Sequence, residues 1–195
     1  MNDKYNTVVN SGEGFYSEKR SRFLAFALHV ESEDEVKTIV AEYKKKYFDA
    51  RHVCYAYILG YDSERTRAND DGEPSGSAGQ PILRQLRSFE VTFTLVIVVR
   101  YYGGINLGTG GLVVAYKTAA AEALSDAAIE EKYVMRQCEI SVPYPDVDKV
   151  MSYVKEFDAE IVRRDYTATT TDLIIMYKLS HERSLLSKLG IESPE

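Results

Sequence analysis

The segment from Val96 to Ala128 constrains the fold more than any other, because VIVVRYYGGINLGTGGLVVAYKTAAAEALSDAA leaves little choice of structure. Phe93 to Tyr102 is an almost unbroken run of β-branched and aromatic residues, too short for a membrane helix and typical of a central strand buried on both faces. Gly103, Gly104, Gly108, Gly110 and Gly111 follow, supplying positive-φ turns and close backbone approaches that side chains would block. Leu112, Tyr116, Ala119, Ala120, Ala123 and Ala127 then recur at helical spacing, a stripe of small residues that predicts a helix lying close on a sheet. The unit reads strand, glycine loop, helix. Its geometry aims the free N–H groups of a helix N-terminus into a loop without side-chain bulk, where an anion would be stabilised. A tight structural turn is the competing reading. Neither a G-K-[ST] sequence nor a clean G-x-G-x-x-G is present, so no standard nucleotide loop is indicated.

Upstream, residues 5 to 30 alternate as a hairpin, with strands at Tyr5 to Val9 and Ser21 to Val30 and a turn expected near Gly12 to Gly14. Ser32 and Glu35 form a capping-box pattern ahead of a helix over 33–47 with Val36, Ile39, Val40, Tyr43 and Tyr47 on one face. His52 to Gly60 is a strand that places His52 and Cys54 on the same side, the arrangement a nucleophile and its base would need. Tyr61 to Pro81 reads as a long polar loop that ends in Asp70, Asp71, Gly72, Glu73, Pro74, Ser75, Gly76, Ser77, Ala78, Gly79, Gln80 and Pro81. Its carboxylates would suit a hard cation, although solvated acidic turns are commoner. A short helix over 80–88 turns Ile82, Leu83 and Leu86 inward.

The central helix is expected over 111–128, and the charged Glu130, Glu131 and Lys132 mark a boundary, giving domains 1–134 and 135–195. Beyond it come a strand at Cys138 to Pro143, a helix opened by Pro145, strands at Glu160 to Ala168 and Asp172 to Leu179, and a last helix carrying Leu185, Leu186 and Leu189. That order, β-α-β-β-α, is a ferredoxin-like half. The fold class expected for the whole chain is α+β, in two layers.

Composition narrows the function. With 45% apolar and 28% charged residues over 195 positions, the chain is an ordinary globular protein of one or two domains. Neither a signal peptide nor a membrane span is legible, which implies a cytoplasmic protein with no membrane partner. Cys54 and Cys138 lack companions at metal or redox spacing, so no disulfide framework and no zinc site are expected, nor any cofactor. A net charge of −6 argues against a protein that coats nucleic acid non-specifically. Local basic clusters remain at Lys19, Arg20 and Arg22, at Lys44 to Lys46 with Arg51, at Arg84 and Arg87, and at Arg163 and Arg164.

DDGEPSGSAGQP at Asp70 to Pro81 and RYYGGINLGTGGLVVAY at Arg100 to Tyr116, supported by KRSRFLAFA at Lys19 to Ala27 and ARHVCYAY at Ala50 to Tyr57, resemble the signature of the YigZ/IMPACT family. The resemblance implies a first domain similar to domain IV of elongation factor G and to a small-subunit ribosomal-protein domain, and a ferredoxin-like second domain similar to domain V of that factor. It implies association with translation. The eukaryotic members' control of a stress kinase pathway is not carried over, because this chain has no room for their extra N-terminal domain. Two departures stand out: Val114 replaces the family's usual Lys or Arg, with Lys117 as a substitute on nearly the same helical face, and Glu195 follows soon after the last helix, where the resemblance implies a fourth strand, so a C-terminal sheet short of an edge is expected.

Three functions follow. The first is a non-catalytic, translation-associated regulator that binds RNA or a ribosomal surface through Arg100, Gly104, Gly108, Thr109, Gly110, Gly111 and Lys117, contacting phosphate without reading sequence. The second is an enzyme on a phosphorylated or nucleotide substrate, with Asp70, Asp71 and Glu73 holding a metal and the motif loop Gly72, Gly76, Ser77 and Gly79 folded about it. That enzyme requires the carboxylates and the glycine loop to converge on one concave pocket. The third is a protein-binding regulator, to which 15 tyrosines without tryptophan lend weak support.

Overall fold

A computed structural model describes residues 3–191. The chain divides into two compact units, one spanning Tyr5–Lys132 and the other gathered from Tyr133 onward with Asp3 and Lys4. The class is α+β, with five α-helices among the described residues.

In the first unit the strands are β1 (Lys4–Asn10), β2 (Gly12–Glu18), β3 (Ser21–His29), β4 (His52–Leu59), β5 (Arg65–Asn69), β6 (Thr94–Tyr101) and β7 (Ala128–Tyr133), and the helices are α1 (Glu33–Lys46), α2 (Gly79–Ser88) and α3 (Gly108–Asp126). Five strands form one antiparallel sheet in the order β2-β3-β6-β4-β5, while β1 and β7 pair separately. The continuous apolar run of β6 is explained by its central place, Thr94 to Arg100 being buried throughout. Phe23, Ala25, Cys54, Ala56, Val96 and Val98 face α2 and α3, whereas Phe26, Val53, Tyr57, Leu95, Ile97 and Val99 face α1. Helices therefore cover both faces of this sheet, since a strand apolar on both sides needs cover on both sides.

Three further differences have local causes. The hairpin joins β2 to β3, and its turn is Lys19–Arg20, both at positive φ (46° and 66°), not Gly12 to Gly14. Those glycines lie inside β2 because α3 presses its backbone onto them: a Cβ on Gly14 would come within 2.5 Å of Ala119 O and Ala123 N, and one on Gly12 would fall onto Ala123 O. Glycine on the strand and alanine on the helix are two halves of one contact. The supposed loop after Tyr61 contains the edge strand β5, paired to β4 from Leu59↔Arg65 to Tyr55↔Asn69. Finally, α3 stops at Asp126, and the charged Glu130–Lys132 stretch is strand β7. The capping box forms as expected, with Glu35 N–H donating to Ser32 Oγ at 3.2 Å, although Glu35 reaches back to the Glu31 N–H.

The second unit carries β8 (Met135–Pro143), α4 (Val147–Glu156), β9 (Glu160–Tyr166), β10 (Thr170–Lys178) and α5 (Glu182–Leu189) in an antiparallel sheet ordered β8-β10-β9. Val142, Leu173, Ile175 and Tyr177 pack against Val150, Val154, Leu185 and Leu186 on a single face. Among the described residues this sheet has three strands, and positions after Ile191, where a fourth was looked for, lie outside them.

Candidate functional site

The two signature segments meet at one end of the five-stranded sheet, where β3, β4 and β6 place Phe23, His52 and Arg100 in one cross-strand row. The loop between β5 and α2 is held over this row by its own acids. Asp70 accepts the N–H groups of Gly76 (2.8 Å), Ala78 (3.0 Å) and Gly79 (2.8 Å), and so caps α2, whose N-cap residue Ala78 offers no side-chain acceptor. Asp71 accepts from Val53 N–H at 2.7 Å and pairs with Lys44 at 2.5 Å. Glu73, with 3% of its side chain exposed, accepts from Arg100 Nη1 at 2.5 Å and from Tyr116 Oη at 2.7 Å. Gly72 and Gly76 supply positive-φ corners, Ser77 donates to Pro74 O, and Gly79 lets α2 start against the Asn69 backbone.

This arrangement gives the groups singled out in the sequence partners within the protein. The acidic loop is not a metal cradle: the Asp70, Asp71 and Glu73 carboxylates point to separate protein partners, and the described residues contain no group of His, Cys, Asp or Glu arranged to hold a metal. Arg100 is not a surface anion contact, because its side chain is 7% exposed, neutralised by Glu73 and laid against the rings of Phe23 and Tyr102. His52 and Cys54 share a face without forming a nucleophile–base pair. Cys54 is fully buried, its single S–H proton placed between two acceptors, Asp70 O (3.1 Å) and Tyr116 Oη (3.3 Å), and burial above all pushes its thiol well above the ordinary range. His52 gives its Nδ1 proton to Asp71 O at 2.8 Å, while its Nε2 lies 3.8 Å from Glu73.

The glycine loop is open where the acidic loop is closed. Leu107 is the N-cap residue of α3; no side chain caps the helix, and its first turn holds no acidic residue. Gly104, Gly108, Thr109 and Gly110 are exposed, and a Cβ on Gly104, Gly108 or Gly110 would meet nothing within 4 Å. Positive φ accounts for Gly104 and Gly108 (84° and 74°), but Gly110 is ordinary helix with free space around it. A shallow groove of about 240 Å³ runs past Gly110 and Gly111, lined by Tyr16, Glu18, Lys19, Leu107 and Val114. Val114, 54% exposed, borders this groove, while Lys117 is exposed on α3 and does not line it.

Lys19 and Arg20 were legible only as a basic cluster, and the fold brings them to the loop. Gly103 has no room for a Cβ because it sits on the Arg20 and Ser21 backbone, and its N–H donates to Ser21 Oγ at 3.1 Å. Arg22 lies over the Tyr101 ring, and the Arg51 N–H donates to Arg100 O. The misplaced hairpin turn had hidden this convergence. Tyr116, assigned only to the helical core stripe, proves to be the hydroxyl that ties α3 to Glu73 and Cys54.

Residues 19–124, which contain the basic turn, both loops and most of α3, match the Impact N-terminal domain. The chain belongs to the IMPACT family. It is 36% identical over 156 residues to the IMPACT family member YvyE of Bacillus subtilis, covering 80% of this chain and 72% of that protein. It is likewise 36% identical over 152 residues to YigZ of Escherichia coli, covering 77% and 74%. A crystal structure of a hypothetical protein superposes with a TM-score of 0.72 at 30% identity, over 97% of this chain and 93% of that one.

Proposed function

We propose that this IMPACT family member is a non-catalytic, cytoplasmic regulator associated with translation, and that the glycine-loop end of its first unit contacts the phosphate backbone of RNA or of a ribosomal surface. Support for the translation link comes from family membership. Support for phosphate comes from Gly110. Glycine inside a helix costs roughly 0.5–1 kcal/mol relative to alanine, and no neighbouring atom in this protein requires it there. The missing side chain leaves the uncapped first turn of α3 open to a group arriving from outside, beside the strained cationic turn of Lys19 and Arg20. The contacting set is then Gly104, Gly108, Thr109, Gly110 and Gly111 with Lys19, Arg20 and Lys117, and Arg100 acts from beneath by fixing the acidic loop. An enzyme using an acidic-loop metal finds no support, its carboxylates being bound elsewhere. A protein-binding regulator is the outcome if RNA fails.

The test is a titration of structured RNA at several salt concentrations with the wild type, Gly110→Asp and Lys19→Glu/Arg20→Glu. Weak binding that falls steeply with salt is expected, and each variant should lose it while keeping the wild-type melting temperature. Full affinity in a folded Gly110→Asp protein would remove this loop as the site.

A further inference from the structure

Phe48 stands 85% exposed immediately after the α1 C-cap residue Tyr47, among Lys44, Lys45, Lys46 and Arg51. Its neighbours are spent differently. Tyr43 and Tyr47 pack with the Phe26 ring at 5.0 and 5.8 Å, and Lys46 lies over all three rings. Lys44 is tied to Asp71, and Lys45 and Arg51 are exposed without an ion pair among the described residues. The segment therefore half-buries two aromatic rings and holds a third out in water, with the exposed Lys45 and Arg51 and one exposed acid, Asp49, nearby in sequence. Phe48 is at the same end of the sheet as the glycine loop, since the next residue, Asp49, accepts from Tyr101 Oη at 2.9 Å and Arg51 pairs with Arg100 through the backbone. Across that end, on the α3 side, Tyr102 is 47% and Ile105 46% exposed. Exposed rings and cations stand at this end: Phe48 is flanked in sequence by the exposed Lys45 and Arg51, and the exposed Arg22 lies over the Tyr101 ring.

An isolated exposed apolar residue needs no explanation, but Phe48 is the most exposed of the large apolar side chains described, and Tyr102 and Ile105 are exposed in the loop that leaves the same end of the sheet. A duplex offers such rings nothing, because its bases are already stacked and its outer surface is phosphate and sugar. An unpaired strand offers π-faces and phosphates in alternation, which is the chemistry of this surface. We propose that the RNA engaged at this end is single-stranded or carries unpaired bases, with Phe48 as the principal stacking platform and Tyr102 as a second; this rests on the RNA-phosphate assignment above.

The experiment compares a labelled oligouridine with a blunt RNA duplex of equal phosphate number, by fluorescence anisotropy at low salt. Wild-type protein should prefer oligouridine. Phe48→Ala should weaken oligouridine by roughly five- to a hundred-fold, the range for loss of one stacked base, and leave duplex affinity and the melting temperature unchanged. Phe48→Trp should restore or strengthen it. Equal weakening of both RNAs, or no effect of Phe48→Ala while Lys19→Glu/Arg20→Glu abolishes binding, overturns the stacking proposal and leaves the phosphate surface standing. Absence of binding to either RNA overturns both. Binding to phosphatidylserine vesicles that depends on Phe48, with oligouridine binding unaffected, assigns the ring to a lipid surface and also overturns it.

Discussion

Replacing Glu73 by Gln should damage this protein more than any surface charge change, for a reason that can be put in numbers. Glu73 and Arg100 expose 3% and 7% of their side chains, and Glu73 Oε1 accepts from both Arg100 and Tyr116. Gln keeps the volume and one acceptor oxygen, so packing changes little, but the guanidinium is left buried without a counter-charge, and its Nε already has no hydrogen-bond partner among the described residues. Removing one member of a buried pair costs about 3–5 kcal/mol, whereas replacing both by apolar residues of similar size is often neutral. Glu73→Gln and Arg100→Met should therefore each lower the unfolding free energy of the first unit by about 3 kcal/mol or more, and the double variant Glu73→Leu/Arg100→Met should recover most of it. Urea denaturation followed by far-UV circular dichroism measures this directly. Hydrogen exchange adds the local consequence: the Gly76, Ala78 and Gly79 amides bonded to Asp70 should exchange faster in Glu73→Gln, because Glu73 anchors the same loop from its other side. A cost below about 1 kcal/mol, the value of an exposed ion pair, would mean that solvent screens the pair and that the acidic loop is not clamped through Arg100.

Backbone contact between α3 and β2 makes Gly14→Ala costly, since its Cβ would lie 2.5 Å from Ala119 O and Ala123 N; the expected loss is about 1–3 kcal/mol, with the same range for Ala120→Leu, and an unchanged melting temperature in both would refute the close packing. Stability should also fall in alkali. Burial, first among the causes, raises the Cys54 thiol and the Tyr116 phenol above their ordinary values, so the stabilisation from keeping both neutral is complete below the unfolded-state values of about 8.5 and about 10 and is lost as pH rises past them. Urea midpoints should drop between neutral pH and about pH 10, less so in Cys54→Ala and Tyr116→Phe, and a flat profile would count against burial of both groups.

How much of this was legible depended on whether a residue's job is local. Ser32 caps α1 within its own turn, the β6 run reports its own burial, and the β8-α4-β9-β10-α5 order follows from periodicity, so each could be read along the chain. Gly12 and Gly14 could not, because a glycine that admits a helix from 100 residues away looks the same in sequence as one that makes a turn, a separation of the kind seen between Gly12 and Ala123. Placing the turn there displaced Lys19 and Arg20, and with them the cationic rim of the candidate site. Glu73 and Arg100 failed in the same way: each looked like a functional charge in its own motif, and their partnership exists only across the fold.

That partnership explains how a chain of net charge −6 can present a cationic end. The acids of the signature loop are each given partners within the protein, Asp70 three backbone N–H groups, Asp71 the Val53 N–H and Lys44, and Glu73 the Arg100 and Tyr116 side chains. What faces water beside the open first turn of α3 is then Lys19, Arg20 and Arg22, with Glu18 as the opposing charge in the groove. Screening over about 8–10 Å at physiological salt makes this local balance, and not the total, the field that an approaching phosphate experiences. The acidic signature is thus the scaffold of the cationic one: Asp70 holds the sheet end in shape through three backbone N–H groups, and under the phosphate assignment proposed above, Asp70→Ala should weaken RNA binding through the fold without any contact to the ligand.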